Sequence, residues 1–201
     1  MPRYKASRPR NVTASREEIW QILSEVKLSV KLWLLFCSDM ALRSGTANRI
    51  SGENYDRQRG VIRFVSKGES KQTMPVTEEI AKILEPLDDR SKVPYVWQIR
   101  AKEHRQGRWP EVYDPKLLRK ELRETIKKLG IKRIIPHDLR RTTAVAVLEG
   151  TGDIREVQSV LGHSDLKTTL WYLDHDAVKV TRSTLEKAKL PFIAWRKEKS
   201  A

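Results

Sequence analysis

In LGHSDLKTTLWYLDHD, residues 161–176, a tyrosine beside a tryptophan follows a glycine-histidine pair by nine residues. His163 and Tyr172 are by type a proton carrier and a weak nucleophile. A phenol has a pKa near 10, so only about 0.1% of it is ionised at neutral pH. Tyr172 becomes a nucleophile only beside a base or in a strongly positive surround. Taken alone, the stretch reads more simply as a packed helix end.

A second candidate for chemistry is IPHDLRRTTA, residues 135–144. Pro136 excludes helix before it, and Asp138 is positioned to cap the helix that follows. His137 and Arg140 then fall near the first turn, where free N–H groups and the positive dipole end favour a phosphate. The simpler reading is an exposed basic helix start. Further upstream, ALRSG places Arg43 at the end of an apolar helix. VSKGESKQTMPV places Lys67 on a hairpin, with Lys71 as a competitor.

These residues must be held by some scaffold, and the charge says what it meets. Forty Lys and Arg against 26 acidic residues give a formal charge of +14, spread along the chain. Such a balance favours a polyanion, with nucleic acid the commonest for a soluble protein, but does not separate DNA from RNA. No run approaches the roughly 20 apolar residues of a membrane span, and nothing marks secretion. The single cysteine, Cys37, cannot form an internal disulfide and fits a buried position and a reducing cytoplasm.

The elements follow from punctuation and periodicity. Residues 1–12 read as a basic arm. Ser15 with Glu18 forms a capping-box signature for a first helix. SVKLWLLFCSDMAL reads as a second, core helix stopped at Gly45. Residues 54–76 alternate β-branched residues with turn signals, predicting a three-stranded antiparallel sheet with Lys67–Ser70 at a hairpin tip. Helices are expected at TEEIAKIL, capped by Thr77, and at DPKLLRKELRETIKKLG, between Asp114 and Gly130. The intervening 86–113 reads as a loop-rich basic stretch. Beyond Pro136, helices are expected from Asp138, Asp153, about Lys167 and Asp176. The fold class is mainly α with a small three-stranded antiparallel β-sheet (α+β), in one domain over 13–180. Residues 181–201 form a helix end and basic tail.

In this order and context, the pieces resemble the catalytic domain of tyrosine recombinases, the family of phage integrases and bacterial site-specific recombinases. The resemblance covers roughly residues 15–180. The combination of HDLRRT, LGH and a tyrosine nine residues later is the specific part. It implies site-specific DNA recombination: tyrosine attacks a scissile phosphodiester, giving a 3′-phosphotyrosyl link and a free 5′-hydroxyl, without metal or cofactor. The resemblance makes Tyr172 the nucleophile and Arg43 and Arg140 the clamp on the phosphate oxygens. Guanidiniums suit that clamp because they stay charged and donate paired hydrogen bonds. Lys67 becomes the general acid for the leaving oxygen, and His137 and His163 share proton transfer and phosphate contact, their division open. Position 46 is threonine where the family often carries a carboxylate after its first arginine. Arg141, where many relatives have histidine, is assigned to DNA contact or structure.

Double-stranded DNA is the expected partner. Relatives act as tetramers, with 177–201 the candidate docking segment; the isolated domain is expected to be monomeric. The few residues before the first helix leave no room for the family's preceding domains, so a fragment or a minimal protein is expected. Type IB topoisomerase-like relaxation and non-catalytic DNA binding remain the alternatives. Trp20, Trp33 and Trp97 are expected in the core, and Trp171 in packing or in shaping the tyrosine helix. His104 is expected on a solvated basic loop. LDHD is read as a cap rather than a metal site.

Overall fold

The computed structural model describes residues 12–65, 71–103 and 114–173. Among them, helix α1 (Arg16–Glu25) starts on the capping box its sequence announces: Ser15 Oγ accepts from the Glu18 amide, and the Glu18 carboxylate accepts from the Ser15 amide. Ile22 points into the core from this helix. Trp20, two residues away and therefore about 200° around the helix, is 71% exposed. The expectation of a core Trp20 is thus corrected, while Trp33 and Trp97 are fully buried.

Helix α2 (Leu28–Ser38) is apolar all round because neighbours cover it on every side, α5 and α7 most extensively. Cys37 lies wholly inside it. The helix ends at Ser38, short of its expected end and well before Gly45. The chain breaks out through Ala41, whose φ of 48° makes it the one described non-glycine residue in the left-handed region. Gly45 is no stop signal; it lies within the short helix α3 (Ser44–Ala47).

After a 3₁₀ turn at Gly52–Asn54 come β1 (Tyr55–Asp56), β2 (Val61–Val65) and β3 (Lys71–Pro75). They form the expected antiparallel sheet in the order β1-β2-β3. Its central strand faces Ile62 and Phe64 inward, and Val65 pairs with Lys71 at the end nearest the hairpin tip. The tip itself, with Lys67, lies outside the described residues.

Helix α4 (Glu78–Leu84) is capped by Thr77, whose hydroxyl accepts from the Ile80 amide. The expected loop over 86–113 is partly wrong, since α5 (Tyr95–Glu103) occupies its middle. Tyr95 to Ile99 are buried in succession, so no apolar stripe of period 3.6 marks the helix. Even Gln98 is accommodated, its amide bonded to backbone groups of Asp88 and Val93. Helix α6 (Pro115–Leu129) has the Asp114 cap, Pro115 in its first turn, and Gly130 at φ 66° as its stop.

Helix α7 (Pro136–Thr151) begins two residues before the expected Asp138 start. Ile135 is its cap residue, and the buried Asp138 sits inside the first turn, accepting from the Ile135 amide at 3.0 Å. Helices α8 (Ile154–Leu161) and α9 (Leu166–Leu173) complete the described fold, α8 capped by Asp153 as expected. The helix expected from Asp176 lies outside the described residues. A large core built on α2 is joined by a smaller one in which Ala41, Ala144, Val157, Leu161, Tyr172 and Leu173 meet. Among the described residues no helix is long and apolar enough to cross a membrane.

Candidate active site

The first turn of α7 is the hub of the site. His137 sits at its rim with an exposed side chain, whereas Arg140 and Arg141 are buried. Arg140 donates through Nη1 to the carbonyl of Ala41 and through Nη2 to that of Leu161 at 2.6 Å. One guanidinium therefore ties the left-handed turn ahead of Arg43 to the end of α8. A guanidinium carries five N–H donors, so these two bonds leave donors for an anion.

Arg43 occupies the cap position of α3, partly buried, in a turn fixed by Trp33 Nε1 donating to the Ser44 carbonyl at 3.0 Å. Its charge reaches the whole cluster, helping to lower the pKa values of Arg140, His137 and His163. Two cations held this close repel, and an anion between them would relieve the repulsion.

His163 follows Gly162, which ends α8 at φ 59°. Its Nδ1 shares a 3.0 Å hydrogen bond with the buried Thr169 hydroxyl. Burial, and then Arg140 and Arg43, depress its pKa to about 4, so the ring is neutral at physiological pH. His137 is lowered for like reasons, desolvation first and Arg140 second. Neutral imidazoles can accept a proton.

Tyr172 projects from α9 between the two histidines. Its ring stands edge-on to His137 at 5.0 Å and to His163 at 5.7 Å between centroids. The hydroxyl donates to the His137 carbonyl at 3.3 Å. Burial pushes its pKa up to about 12, although Arg140 and Arg141 pull against that rise. The structure thus brings His137, Arg140, His163 and Tyr172 together from three helices and their ends, within the field of Arg43. Trp171, next along α9, is 52% exposed. His104 and the segment Asp174–Asp176 lie outside the described residues.

Two further features border this cluster. Gln72 of β3 lies directly over Gly162, so that a Cβ at that glycine would run into the Gln72 side-chain amide. With Gln158 and His163, they line a cleft of about 280 Å³. On the other side a cavity of about 760 Å³ runs from His137 and Ser44 along α6, bordered by Arg119, Arg123, Lys127 and Arg133. Neither Gln72 nor the α6 cations stand out in the sequence as site residues. Their helical spacing of four, at 119, 123 and 127, was the available signal for the latter.

Comparison with known proteins places the chain and its fold. The profile described as the phage integrase family matches residues 13–179. Tyrosine recombinase XerA of Pyrococcus horikoshii is 32% identical over 196 residues, covering 94% of this chain and 65% of the relative. Tyrosine recombinase XerC of Corynebacterium efficiens is 33% identical over 118 residues, 58% of this chain and 37% of the relative. The chain therefore spans less than two thirds of the length of either. Among solved structures, a XerA recombinase superposes with a TM-score of 0.63 at 24% identity, over 88% of this chain and 62% of that one. The catalytic domain of bacteriophage HP1 integrase does so at 0.60 and 18%, over 92% of this chain and all of that domain. With its mostly helical fold and small antiparallel sheet matching such catalytic domains, and the profile spanning nearly all the described residues, the chain belongs to the phage integrase family.

Proposed function

We propose that the chain cleaves and rejoins DNA strands in site-specific recombination through a 3′-phosphotyrosyl intermediate, with Tyr172 as nucleophile. The observation that carries this reading is the meeting of Tyr172 with two neutral histidines and a buried arginine at one point. The relatives named tyrosine recombinases and the shared fold of XerH bound to its difH substrate support DNA as the partner.

Tyr172 Oη attacks the scissile phosphorus, its proton passing to His137 or His163. The P–O5′ bond breaks and the 5′-oxygen takes a proton from Lys67; attack by a 5′-hydroxyl reverses the sequence. Arg43 and Arg140 hold the non-bridging oxygens as their charge grows, the kind of electrostatic help that often dominates catalysis. Lys67 is preferred to Lys71 because Lys-Gly at the turn matches the usual position of the family's hairpin lysine. The Tyr172 hydroxyl must exchange the His137 carbonyl for the phosphate. The duplex runs past the basic cavity along α6. Four chains on two duplexes are the assembly for strand exchange, residues 177–201 supplying the docking segment.

The test uses nicked duplexes randomised around the nick, on which cleavage releases a short fragment and traps the protein. The parent is expected to give an SDS-resistant adduct, and Tyr172→Phe none. An adduct that survives in Tyr172→Phe would remove Tyr172 as nucleophile. Relaxation of any supercoiled plasmid without site preference would instead support a type IB topoisomerase-like activity.

A further inference from the structure

Arg141 has no part in the chemistry just described, yet it is 2% exposed and lies beside the nucleophile. Its Nη1 donates to the carbonyl of Tyr172 and its Nη2 to the carbonyl of Leu173 at 2.7 Å. Its guanidinium carbon stands 6.0 Å from the centre of the Tyr172 ring. Among the described residues its Nε–H is buried without a partner. A buried guanidinium with an unmet donor is costly, so general stabilisation does not account for its presence. Its bonds converge on two successive carbonyls, that of the tyrosine and that of the residue after it.

We infer that Arg141 is a positioning residue, which anchors the tyrosine-bearing turn of α9 to α7 and so fixes where the Tyr172 hydroxyl starts. This inference deepens the proposed function and rests on it for its catalytic consequence only. Adjacent residues on a helix point about 100° apart, and the two arginines use that angle. Arg140 gathers the Ala41 turn and the end of α8, while Arg141 gathers α9. The next two residues continue the pattern: Thr142 Oγ1 accepts from the Ala14 amide at 2.9 Å, and Thr143 Oγ1 donates to the Ser38 carbonyl. Four successive side chains thus join one helix to the Ala41 turn and the end of α8, to α9, to the residue before the α1 cap and to the end of α2. A forked donor meets two successive carbonyls at once. A lysine supplies the charge without the fork.

The experiment compares the full chain with Arg141→Lys and Arg141→Met. Hydrogen exchange read by mass spectrometry follows residues 166–173, with residues 28–38 of the core helix as internal reference. Both variants are expected to exchange at least about tenfold faster in 166–173, with 28–38 unchanged. On the trapped duplexes, adduct formation at saturating DNA should fall at least about tenfold, with half-saturation moving less than about twofold. Unchanged exchange in 166–173 overturns the inference, as does equal acceleration in both segments. So does a loss confined to DNA affinity, which would make Arg141 a DNA contact. Faster exchange in 166–173 alone, in a parent chain that forms no adduct, leaves the anchor standing and removes the proposed function.

Discussion

His163 is a group whose environment can be read from its proton. Its pKa falls from 6.5 to about 4 in the folded chain through burial and the charges of Arg140 and Arg43. Between those values the unfolded chain binds a proton that the folded chain refuses, so stability rises with pH across the window. Lowering the pH from 7 to 4.5 should therefore cost the parent on the order of 2 kcal/mol more than His163→Gln. Urea unfolding of both proteins at each pH measures the difference. Equal pH slopes would mean that burial and the arginines do not hold the imidazole neutral. Tyr172 shows why residue type alone left two readings open. It belongs to the smaller core, yet its hydroxyl reaches past that core to a backbone carbonyl. Packing and chemistry are both properties of this one side chain.

The elements divide into those with local signals and those made by tertiary contact. Helices α1, α4, α6 and α8 announce themselves through Ser15, Thr77, Asp114 and Asp153, each accepting from an amide in the first turn. The sheet announces itself through alternation. Helix α5 is silent because consecutive buried residues erase its period, and α2 ends early because the Ala41 turn is stabilised by Arg140, nearly a hundred positions away. The site was legible in the same uneven way. Its side-chain types and order were visible, but the carbonyls that Arg140 and Arg141 grasp carry no sequence mark. Gly162 joins both kinds of information: it ends α8 at positive φ and admits Gln72 beside it. Gly162→Ala should cost roughly 1 kcal/mol for the left-handed backbone. It should also displace the Gln72 amide, which adding Gln72→Ala would make unnecessary. Thermal melts of the two single variants and the double variant separate the terms. A residual cost near 1 kcal/mol in the Gln72→Ala background is expected, since the backbone strain remains. Full recovery there would show that contact alone matters.

At the scale of the whole molecule the question is how a strongly basic surface becomes directional. The net charge of +14 attracts any duplex, and phosphate contacts by themselves carry no sequence information. Direction comes from where the cations stand relative to the chemistry. Arg119, Arg123 and Lys127 recur every four residues along α6, about 6 Å apart along its axis, beside a cavity that opens at His137. Arg119 also donates to Ser44 Oγ at 3.3 Å, next to Arg43, so that the stripe ends at the site itself. Under the proposed function, a backbone laid along the stripe would be delivered to Arg43 and Arg140. If so, Arg123→Ala and Lys127→Ala should each reduce the slope of log affinity against log salt by about 1, because each removes one phosphate neutralised. Lys82→Ala, which removes a cation paired with Glu78 on α4, should leave the slope unchanged. Titrating a labelled duplex at several salt concentrations measures all three. Equal slopes for parent, Arg123→Ala and Lys127→Ala would move the DNA path off α6, and the site would then have to receive its phosphate from the sheet side, across Gln72 and the hairpin.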